Sequence, residues 1–452
     1  MAAPCGCTKE DVYMTNINKT VGVSTLGCKV NQYESRAIEQ ALAARGYTVC
    51  TPDARCDAYV INTCTVTAES DRKGRQLIRR MLSQNPDAFI VVTGCFAQAD
   101  PVGAALEGVD AVCGNTEKMQ AVTMLEELFA QGHKNAQAII NVPEISRARC
   151  FEPMRITSFE RTRAYVKIED GCDSHCTYCA IPGARGPVRS KPMQEVLDEV
   201  RVLTEGGCAE VVLTGIETAS WGKDLTEGDF GDLLCAVDAL PGIGRVRLGS
   251  LDPSLIRPRF VDKIASLSSL APHFHLSLQS GCSKTLAAMK RKYNAEQAMA
   301  ALQLLRERIP DVQFTTDVIT GFPGETDSDF AQTLDFIRKA RFLQIHAFPY
   351  SGRKNTPAIR MPDQVPVQVR RERVHMLRDV QNEIRREILS GILQNAPEKQ
   401  VLFETDGNGF SVGHTPEFIE VTVPATRPLC GQIRRVRLTD ITDAGCSAVL
   451  LD

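Results

Sequence analysis

The chain has 452 residues, a length that predicts roughly two to four domains. Hydrophobic residues make up 43% and charged residues 24% of it, which excludes disordered, collagen-like and coiled-coil proteins. Lys and Arg number 52 against 55 Asp and Glu. The formal charge of -3 excludes a uniformly basic nucleic-acid binder and confines any such surface to a local patch.

Neither a membrane segment nor an export signal is expected. The longest charge-free stretch, 264–283, contains Ser, His, Pro and Gln throughout, which a bilayer-spanning helix of roughly 20 apolar residues does not tolerate. Lys9, Glu10 and Asp11 stand where a signal peptide has its apolar core. We therefore expect a cytoplasmic protein with no membrane partner. Its 17 cysteines, an odd number in a reducing compartment, indicate metal or cluster ligation rather than disulfides.

The first predicted domain covers residues 20–145 and follows a tail of residues 1–19. Short apolar runs beginning at 21, 57, 88 and 109 alternate with helical patterns, which predicts a parallel α/β sheet. The first three runs each end at Gly or Thr followed by a cysteine, namely Cys28, Cys64 and Cys95. Open α/β sheets bind ligands at the carboxyl ends of their strands, so these three cysteines are expected to converge on one point.

Residues 146–394 and 395–452 are predicted as two further domains. In the first, six apolar runs alternate with helical patterns, beginning at 163, 210, 245, 273, 313 and 343. They predict an open or partial (βα)6 barrel with its chemistry at the strand carboxyl ends, followed by a long Arg-rich helix over 363–393. The last region contains short strands with Gly turns, which predict a small β-barrel. The fold class is therefore α/β with a C-terminal β-barrel.

The strongest local signal is the loop Gly171-Cys172-Asp-Ser-His-Cys176-Thr-Tyr178-Cys179. Its C-x3-C-x2-C spacing follows the first barrel strand directly. Three thiolates can hold three irons of a cubane cluster and leave the fourth iron open to a small molecule. The alternative is a zinc site with His175 as the fourth ligand, but structural zinc is usually built from paired knuckles rather than one crowded loop.

This loop, with an aromatic residue before its last cysteine, resembles that of the radical S-adenosylmethionine (SAM) superfamily. The order of the three regions resembles the methylthiotransferases, which join a cluster domain, a radical SAM barrel and a TRAM β-barrel. Within that family, LGCKVNQYES at 26 and NTCTVTAES at 62 are similar to the threonylcarbamoyladenosine tRNA methylthiotransferases of the MtaB type. The isopentenyladenosine enzymes read closer to YGCQMN, and the ribosomal-protein enzymes closer to LGCPKN.

The resemblance implies two 4Fe-4S clusters and SAM as cofactors. The catalytic cluster, which cleaves SAM, would be held by Cys172, Cys176 and Cys179. The second cluster, which carries the sulfur to be transferred, would be held by Cys28, Cys64 and Cys95. The implied reaction adds a methylthio group to C2 of N6-threonylcarbamoyladenosine at tRNA position 37, beside the anticodon, and uses two SAM molecules. Because that C-H bond is unactivated, a radical route is chemically appropriate.

The partners implied are the tRNA anticodon stem-loop and an electron donor such as flavodoxin or ferredoxin, with no DNA. Residues at or near predicted strand ends, with the aromatic residue of the cysteine loop, are candidates for lining the SAM pocket. They are Tyr178, Thr214, Gly215, Glu217, Ser250, Gln279, Ser280 and Asp317. Each alone also suits a turn or a loop cap. As a set at the strand ends, they favour cofactor binding.

Two groups of cations are further candidates. Arg185, Arg189 and Lys191 follow the cysteine loop and suit a carboxylate or an RNA phosphate, the alternative being solvated surface charge. A basic stripe in the otherwise acidic C-terminal region suits tRNA phosphates. Its residues are Arg434, Arg435 and Arg437.

Two other functions remain open from the sequence. One is methylthiolation of isopentenyladenosine or of a ribosomal protein. The other is a non-catalytic iron-sulfur protein that binds RNA or senses redox state. The second is disfavoured because neither three-cysteine set has an evident fourth protein ligand, which a structural cluster would take.

Overall fold

The computed structural model describes residues 19–159 and 162–451. The chain divides into two units. The first comprises the described residues up to Thr157 together with Asp170–Asp173 and Ala180–Arg189; the second comprises the rest. The predicted tail lies, apart from Lys19, outside the described residues.

A six-stranded sheet with the order β2-β1-β3-β4-β5-β6 forms the centre of the first unit, and every strand pair in it is parallel. The strands are β1 Thr20–Thr25, β2 Thr48–Cys50, β3 Ala58–Thr63, β4 Phe89–Gly94, β5 Ala111–Cys113 and β6 Ile139–Asn141. Four of them, β1, β3, β4 and β5, are the predicted apolar runs. The edge strands β2 and β6 were not predicted, because each has three residues that are half-buried or exposed and neither forms an apolar run.

Helices cover both faces of this sheet because successive strand residues point to opposite sides. Val60 and Val91 pack with the helices α1 and α5, whereas Ile61 and Ile90 pack with α2. The helices are α1 Lys29–Ala44, α2 Ala68–Gln84, α3 Cys95–Ala99, α4 Pro101–Ala104, α5 Gln120–Gln131 and α6 Ile181–Arg185. Helix α2 begins where the Thr67 hydroxyl accepts a hydrogen bond from the Ser70 amide, a typical N-terminal cap.

Six parallel strands of the second unit form two three-stranded sheets, joined by isolated bridges from Val246 to Leu270 and from Leu251 to Leu276. The strands are β7 Arg163–Lys167, β10 Glu210–Thr214, β11 Arg245–Leu248, β12 His273–Gln279, β13 Gln313–Thr320 and β14 Gln344–Pro349. Two-residue strands, β8 Glu169–Asp170 and β9 Arg189–Ser190, pair with each other. All six predicted barrel strands are present, which confirms the partial (βα)6 architecture.

The helices of this unit are α7 Met193–Glu205, α8 Phe230–Asp238, α9 Pro258–Ile264, α10 Ser283–Ala288, α11 Ala295–Arg308, α12 Asp327–Ala340 and α13 Val367–Asn395. Helix α13 is the predicted Arg-rich helix. It begins later than predicted because Pro366 occupies the position before its first residue, where it cannot extend the helix backward. No helix among the described residues is long and apolar enough to cross a membrane.

A closed five-stranded barrel with the order β15-β16-β17-β19-β18 ends the chain. Its strands are β15 Glu398–Gly407, β16 Phe410–His414, β17 Glu420–Pro424, β18 Ile433–Ile441 and β19 Cys446–Leu450. Leu343, before β14, and Leu389, from α13, pack with the apolar core of this barrel. The predicted C-terminal β-barrel, of the TRAM type, is therefore confirmed.

Candidate functional site

Three cysteines lie at the carboxyl ends of three adjacent strands in the first unit. Cys28 follows β1 and precedes α1, Cys64 follows β3, and Cys95 follows β4 as the first residue of α3. Because β1, β3 and β4 are parallel neighbours, their ends meet at one edge of the sheet. The chain order also reverses between β1 and β3, and such a switch point is where α/β sheets open a binding crevice.

Two glycines allow these strand ends to approach each other. A Cβ atom on Gly27, whose φ is +116°, would lie 2.9 Å from the Cβ of Cys64. One on Gly94, whose φ is +100°, would lie 2.3 Å from the carbonyl oxygen of Thr63. Any side chain at these positions would push the strand ends apart and strain the backbone. The Gly-Cys pairs in the sequence therefore have a steric cause.

The three sulfur atoms lie close enough to influence one another. Cys64 and Cys95 are buried and Cys28 is exposed. Burial raises the pKa of the Cys64 thiol to about 11, and the sulfurs of Cys95 and Cys28 act in the same direction. Such thiols ionise when a cationic metal centre compensates their charge.

A group of charged side chains that are almost fully buried contacts Cys95 through Arg185. We call them the Arg185 network: Glu34, Lys118, Asp170, Arg185 and Arg189. The Arg185 Nε atom donates to Cys95 Sγ at 3.1 Å. Both Arg185 and Lys118 also donate to the Glu34 carboxylate. Arg185, Arg189 and Lys191 are all buried, so the solvated-surface alternative for these three cations is wrong.

The predicted cysteine loop lies between β8 and α6. In the first unit, the Cys172 amide donates to the Gly186 carbonyl at 3.0 Å. In the second unit, Thr177 donates its amide to the Met289 carbonyl at 3.1 Å and its hydroxyl to the Ala288 carbonyl at 2.9 Å. Hydrogen bonds therefore fix Cys172 within the first unit and Thr177 within the second.

An arginine whose side chain is 8% exposed also contacts a sulfur of this loop. Arg291 Nη1 donates to Cys176 Sγ at 3.2 Å, and Arg291 Nη2 donates to Asp252 at 2.7 Å. Neither Arg291 nor Asp252 was among the site residues predicted from the sequence. Nothing in the local sequence pattern around Arg291 pointed to a contact with Cys176.

Among the predicted SAM-pocket residues, Thr214, Gly215 and Glu217 lie at the carboxyl end of β10. The Glu217 amide donates to Glu169 Oε2 at 2.8 Å, and its carboxylate accepts from Ser174 at 3.1 Å. A Cβ on Gly215 would lie 2.6 Å from the same Glu169 oxygen. This group therefore supports the cysteine loop directly.

The other predicted pocket residues are distributed around the barrel. Tyr178 packs beside Met289 and Tyr350, and the Ser250 carbonyl accepts from the Thr218 hydroxyl. Gln279 ends β12 with a φ of 71°. The hydroxyl of buried Ser280 lies 3.3 Å from that of Thr333. Asp317 lies 3.2 Å from the His275 ring. All of these SAM contacts remain predictions.

No three His, Cys, Asp or Glu side chains within residues 19–159 and 162–451 lie close enough to bind a single metal ion. His175, the fourth ligand in the zinc alternative, is exposed. A 4Fe-4S cluster has a wider donor set, because each thiolate binds a different iron.

Family models match both the sheet unit and the barrel. The model of the radical SAM superfamily matches residues 166–337, and the model described as uncharacterized protein family UPF0004 matches residues 20–114. In fold, the chain is similar to the radical SAM methyltransferase TsrM from Kitasatospora setae, with a TM-score of 0.57 and 16% identity over 75% of this chain and 77% of that one. The fold and the cysteine loop define a radical SAM enzyme, a class that uses a 4Fe-4S cluster and SAM.

Curated relatives resolve the class further. The chain is 39% identical to threonylcarbamoyladenosine tRNA methylthiotransferase MtaB of Bacillus subtilis (strain 168), over 93% of each chain. It is 36% identical to MtaB of Thermotoga maritima, over 94% of this chain and 96% of that one. The tRNA-2-methylthio-N(6)-dimethylallyladenosine synthase of Acetivibrio thermocellus is 31% identical, over 94% and 90%. This chain belongs to the MtaB family of radical SAM methylthiotransferases.

Proposed function

We propose that the protein adds a methylthio group to C2 of N6-threonylcarbamoyladenosine at position 37 of tRNA, using two SAM molecules for each product. The observation that carries the proposal is the presence of two separate three-cysteine sets. One set lies at the carboxyl ends of the adjacent strands β1, β3 and β4, and the other lies in the loop after β8. Two sets suit a reaction that needs one centre to generate a radical and another to provide sulfur.

The donor sets suit iron-sulfur clusters because three thiolates can hold three irons of a cubane cluster and leave the fourth iron open to a small molecule. Cys172, Cys176 and Cys179 would hold the first cluster, and Cys28, Cys64 and Cys95 the second. Held in these places, the first cluster would supply the electron for cleavage of SAM, and the second would supply the sulfur.

The chain itself positions these groups. Arg291 anchors the Cys176 sulfur and is in turn held by Asp252. Glu217 fixes the loop through the Ser174 hydroxyl. The proposed SAM-binding residues are Tyr178, Thr214, Gly215, Glu217, Ser250, Gln279, Ser280 and Asp317. Most of them lie at or just after the carboxyl ends of barrel strands, which is the side of a βα barrel where ligands bind.

The proposed RNA contacts come from exposed cations. Arg435 and Arg437 project from β18 and are exposed, although both pair with Glu398. Exposed pairs of this kind contribute little stability and exchange readily for phosphate. The proposed RNA partner is the tRNA anticodon stem-loop.

The proposed electron donor is a flavodoxin or a ferredoxin, and the proposed location is the cytoplasm. We retain the three domains predicted from the sequence, at residues 20–145, 146–394 and 395–452.

The relatives favour this base over the isopentenyl-type substrate. The MtaB proteins are 34–39% identical to this chain, whereas the dimethylallyladenosine synthases are 31–33% identical. The LGCKVNQYES segment, which contains Cys28, is also the MtaB form of the signature.

Mass spectrometry of nucleosides from digested tRNA tests the proposal. Cells lacking the gene are compared with the same cells expressing the wild-type chain or Cys64→Ala. We expect 2-methylthio-N6-threonylcarbamoyladenosine only with the wild-type chain. A methylthio group appearing on the isopentenyl nucleoside instead, or no change in either nucleoside, would contradict the assigned substrate.

A further inference from the structure

We infer that Arg185 is a positioning residue for the second cluster, holding the Cys95 thiolate and setting the reduction potential of the cluster. The inference rests on the proposed function, in which Cys28, Cys64 and Cys95 hold that cluster. It concerns a side chain whose atoms contact a ligand sulfur but that does not itself react.

The geometry fixes the guanidinium from several sides. Besides the 3.1 Å hydrogen bond from Nε to Cys95 Sγ, Nη2 donates to Asn31 Oδ1 at 2.6 Å, and Nη1 donates to Glu34. Nη1 also lies 3.3 Å from Asp170. Because hydrogen bonds hold all three nitrogens of the planar guanidinium, the group has one orientation. The Nε–H therefore points at the sulfur, and little side-chain entropy remains to be lost when the hydrogen bond forms.

Burying the charged side chains of the Arg185 network costs free energy because the charges lose their hydration. The side chains of Arg185, Glu34 and Lys118 are 0% exposed. Replacing buried ion pairs by apolar residues is often neutral or stabilising, so burial alone does not reveal what the network does, and the feature that points to the cluster is the Arg185 contact with Cys95 Sγ. The network has three basic residues and two carboxylates, and the Arg185 guanidinium brings its positive charge directly to the Cys95 sulfur, which would carry negative charge when ligated.

The segment carrying Arg185 contacts one cysteine of each set within the first unit, namely Cys172 and Cys95. Arg185 follows Cys179 by six positions in the chain, and its neighbour Gly186 accepts the Cys172 amide. One short segment therefore binds a ligand residue of the first set through its backbone and a ligand of the second set through a side chain.

Hydrogen bonds to ligand sulfurs and nearby positive charge stabilise the reduced, more negative state of an iron-sulfur cluster. Loss of Arg185 is therefore expected to lower the reduction potential of the second cluster and to weaken its retention. A role limited to folding would leave the potential of the retained cluster unchanged.

The test uses the full chain reconstituted anaerobically in a Cys176→Ala background, where the first cluster is disrupted and the second is observed by itself. Iron is counted per chain, and an EPR-monitored redox titration gives the potential. The background protein is expected to hold about four irons. Arg185→Gln is expected to show a lower potential or loss of that iron, and Arg185→Lys an intermediate potential.

Arg247→Gln serves as the matched control, since Arg247 is a buried arginine paired with a carboxylate in the second unit. It is expected to lower the thermal unfolding midpoint and to leave the potential unchanged. A wild-type potential in Arg185→Gln would overturn the inference. If Arg185→Gln does not fold or holds no iron, Arg185→Lys decides: a potential below that of the background protein supports the inference, and an equal one overturns it. Absence of iron from the background protein would instead contradict the second cluster of the proposed function.

Discussion

Two buried ionic networks in this protein resemble each other in composition and differ in where they lie. The Arg185 network lies at the carboxyl edge of the first unit's sheet and contacts a cysteine sulfur. The second, which we call the Glu210 network, lies at the amino ends of β7, β10 and β11. Its members are Arg163, Glu210, Arg245, Arg247 and Glu404.

The Glu210 network contacts backbone rather than sulfur. Arg247 donates to the carbonyls of Pro416 and Thr415 in the loop between β16 and β17, and Arg163 pairs with Glu404 on β15. It therefore ties the C-terminal barrel to the strand ends of the (βα)6 barrel. Buried charge by itself does not identify a functional site. In βα folds, the carboxyl ends of the strands carry the chemistry, whereas residues at the amino ends contribute to stability.

The largest expected effect is on the carboxyl-end cysteines. Cys176→Ala should abolish SAM cleavage, because two thiolates do not retain the first cluster. Cys64→Ala should leave cleavage measurable and abolish sulfur insertion. Liquid chromatography of 5′-deoxyadenosine, with nucleoside analysis of tRNA, measures both. Equal loss of cleavage in the two variants would contradict separate roles for the two sets.

The Glu210 network should affect stability without affecting cofactor content. Glu210→Gln keeps the side-chain volume but leaves three buried guanidiniums without their shared carboxylate, a loss expected to cost about 3–5 kcal/mol. Urea unfolding measures the change, and iron per folded chain should equal that of wild type. Glu34→Gln is the comparison variant, and it should lose iron from the second cysteine set. Iron loss in Glu210→Gln would remove the distinction between the networks.

The pH dependence of stability gives a smaller and independent measure. Burial raises the pKa of Glu210, but Arg247, Arg163 and Arg245 outweigh it and hold the pKa at about 2 against an ordinary 4.5. A carboxyl whose pKa is lowered by folding stabilises the folded state above pH 4.5, and this stability is lost as the pH falls from 4.5 to 2. The loss corresponds to about 3 kcal/mol.

Urea unfolding of the cluster-free chain at pH 5 and pH 3 measures this dependence, because acid removes iron-sulfur clusters. Glu210→Gln lacks the titrating group and should lose less stability than wild type over this interval. A parallel fall in both proteins would assign the acid sensitivity to other carboxylates.

Sequence patterns predicted those parts of the molecule whose signals are local. The strands that carry Cys28, Cys64 and Cys95 are continuous apolar runs, and a residue that follows a parallel strand lies at a known edge of the sheet. The six barrel strands were recognisable as apolar runs in the same way. The loop Cys172–Cys179 was recognisable from the spacing of its three cysteines.

The ionic networks were not predictable in this way because their partners are far apart in the chain. Arg185 and Glu34 are separated by 151 positions, and Arg163 and Glu404 by 241. No periodicity or spacing rule links such residues. The sequence singled out Arg185 only as a cation after the cysteine loop, and its burial and its sulfur contact required the three-dimensional structure.

The smallest expected effect concerns Phe418, which packs against the Glu210 network from the C-terminal barrel. Its ring stacks between the rings of His273 and His414 with centroid distances of 4.6 Å on each side, and the Arg247 guanidinium lies 5.0 Å from its centroid. Phe418→Leu keeps an apolar side chain and the same constraint at φ 71°, but removes the ring. We expect a loss of about 1 kcal/mol.

Phe410→Leu provides the matched control for Phe418→Leu, because Phe410 lies on β16 of the same barrel and is 47% exposed. Urea unfolding at neutral pH should separate the two variants, with little or no change in Phe410→Leu. Equal unfolding free energies for Phe418→Leu and wild type would mean that the stack adds nothing to the Glu210 network. The ionic contacts of Arg247 and Arg163 would then join the two barrels without help from the aromatic ring.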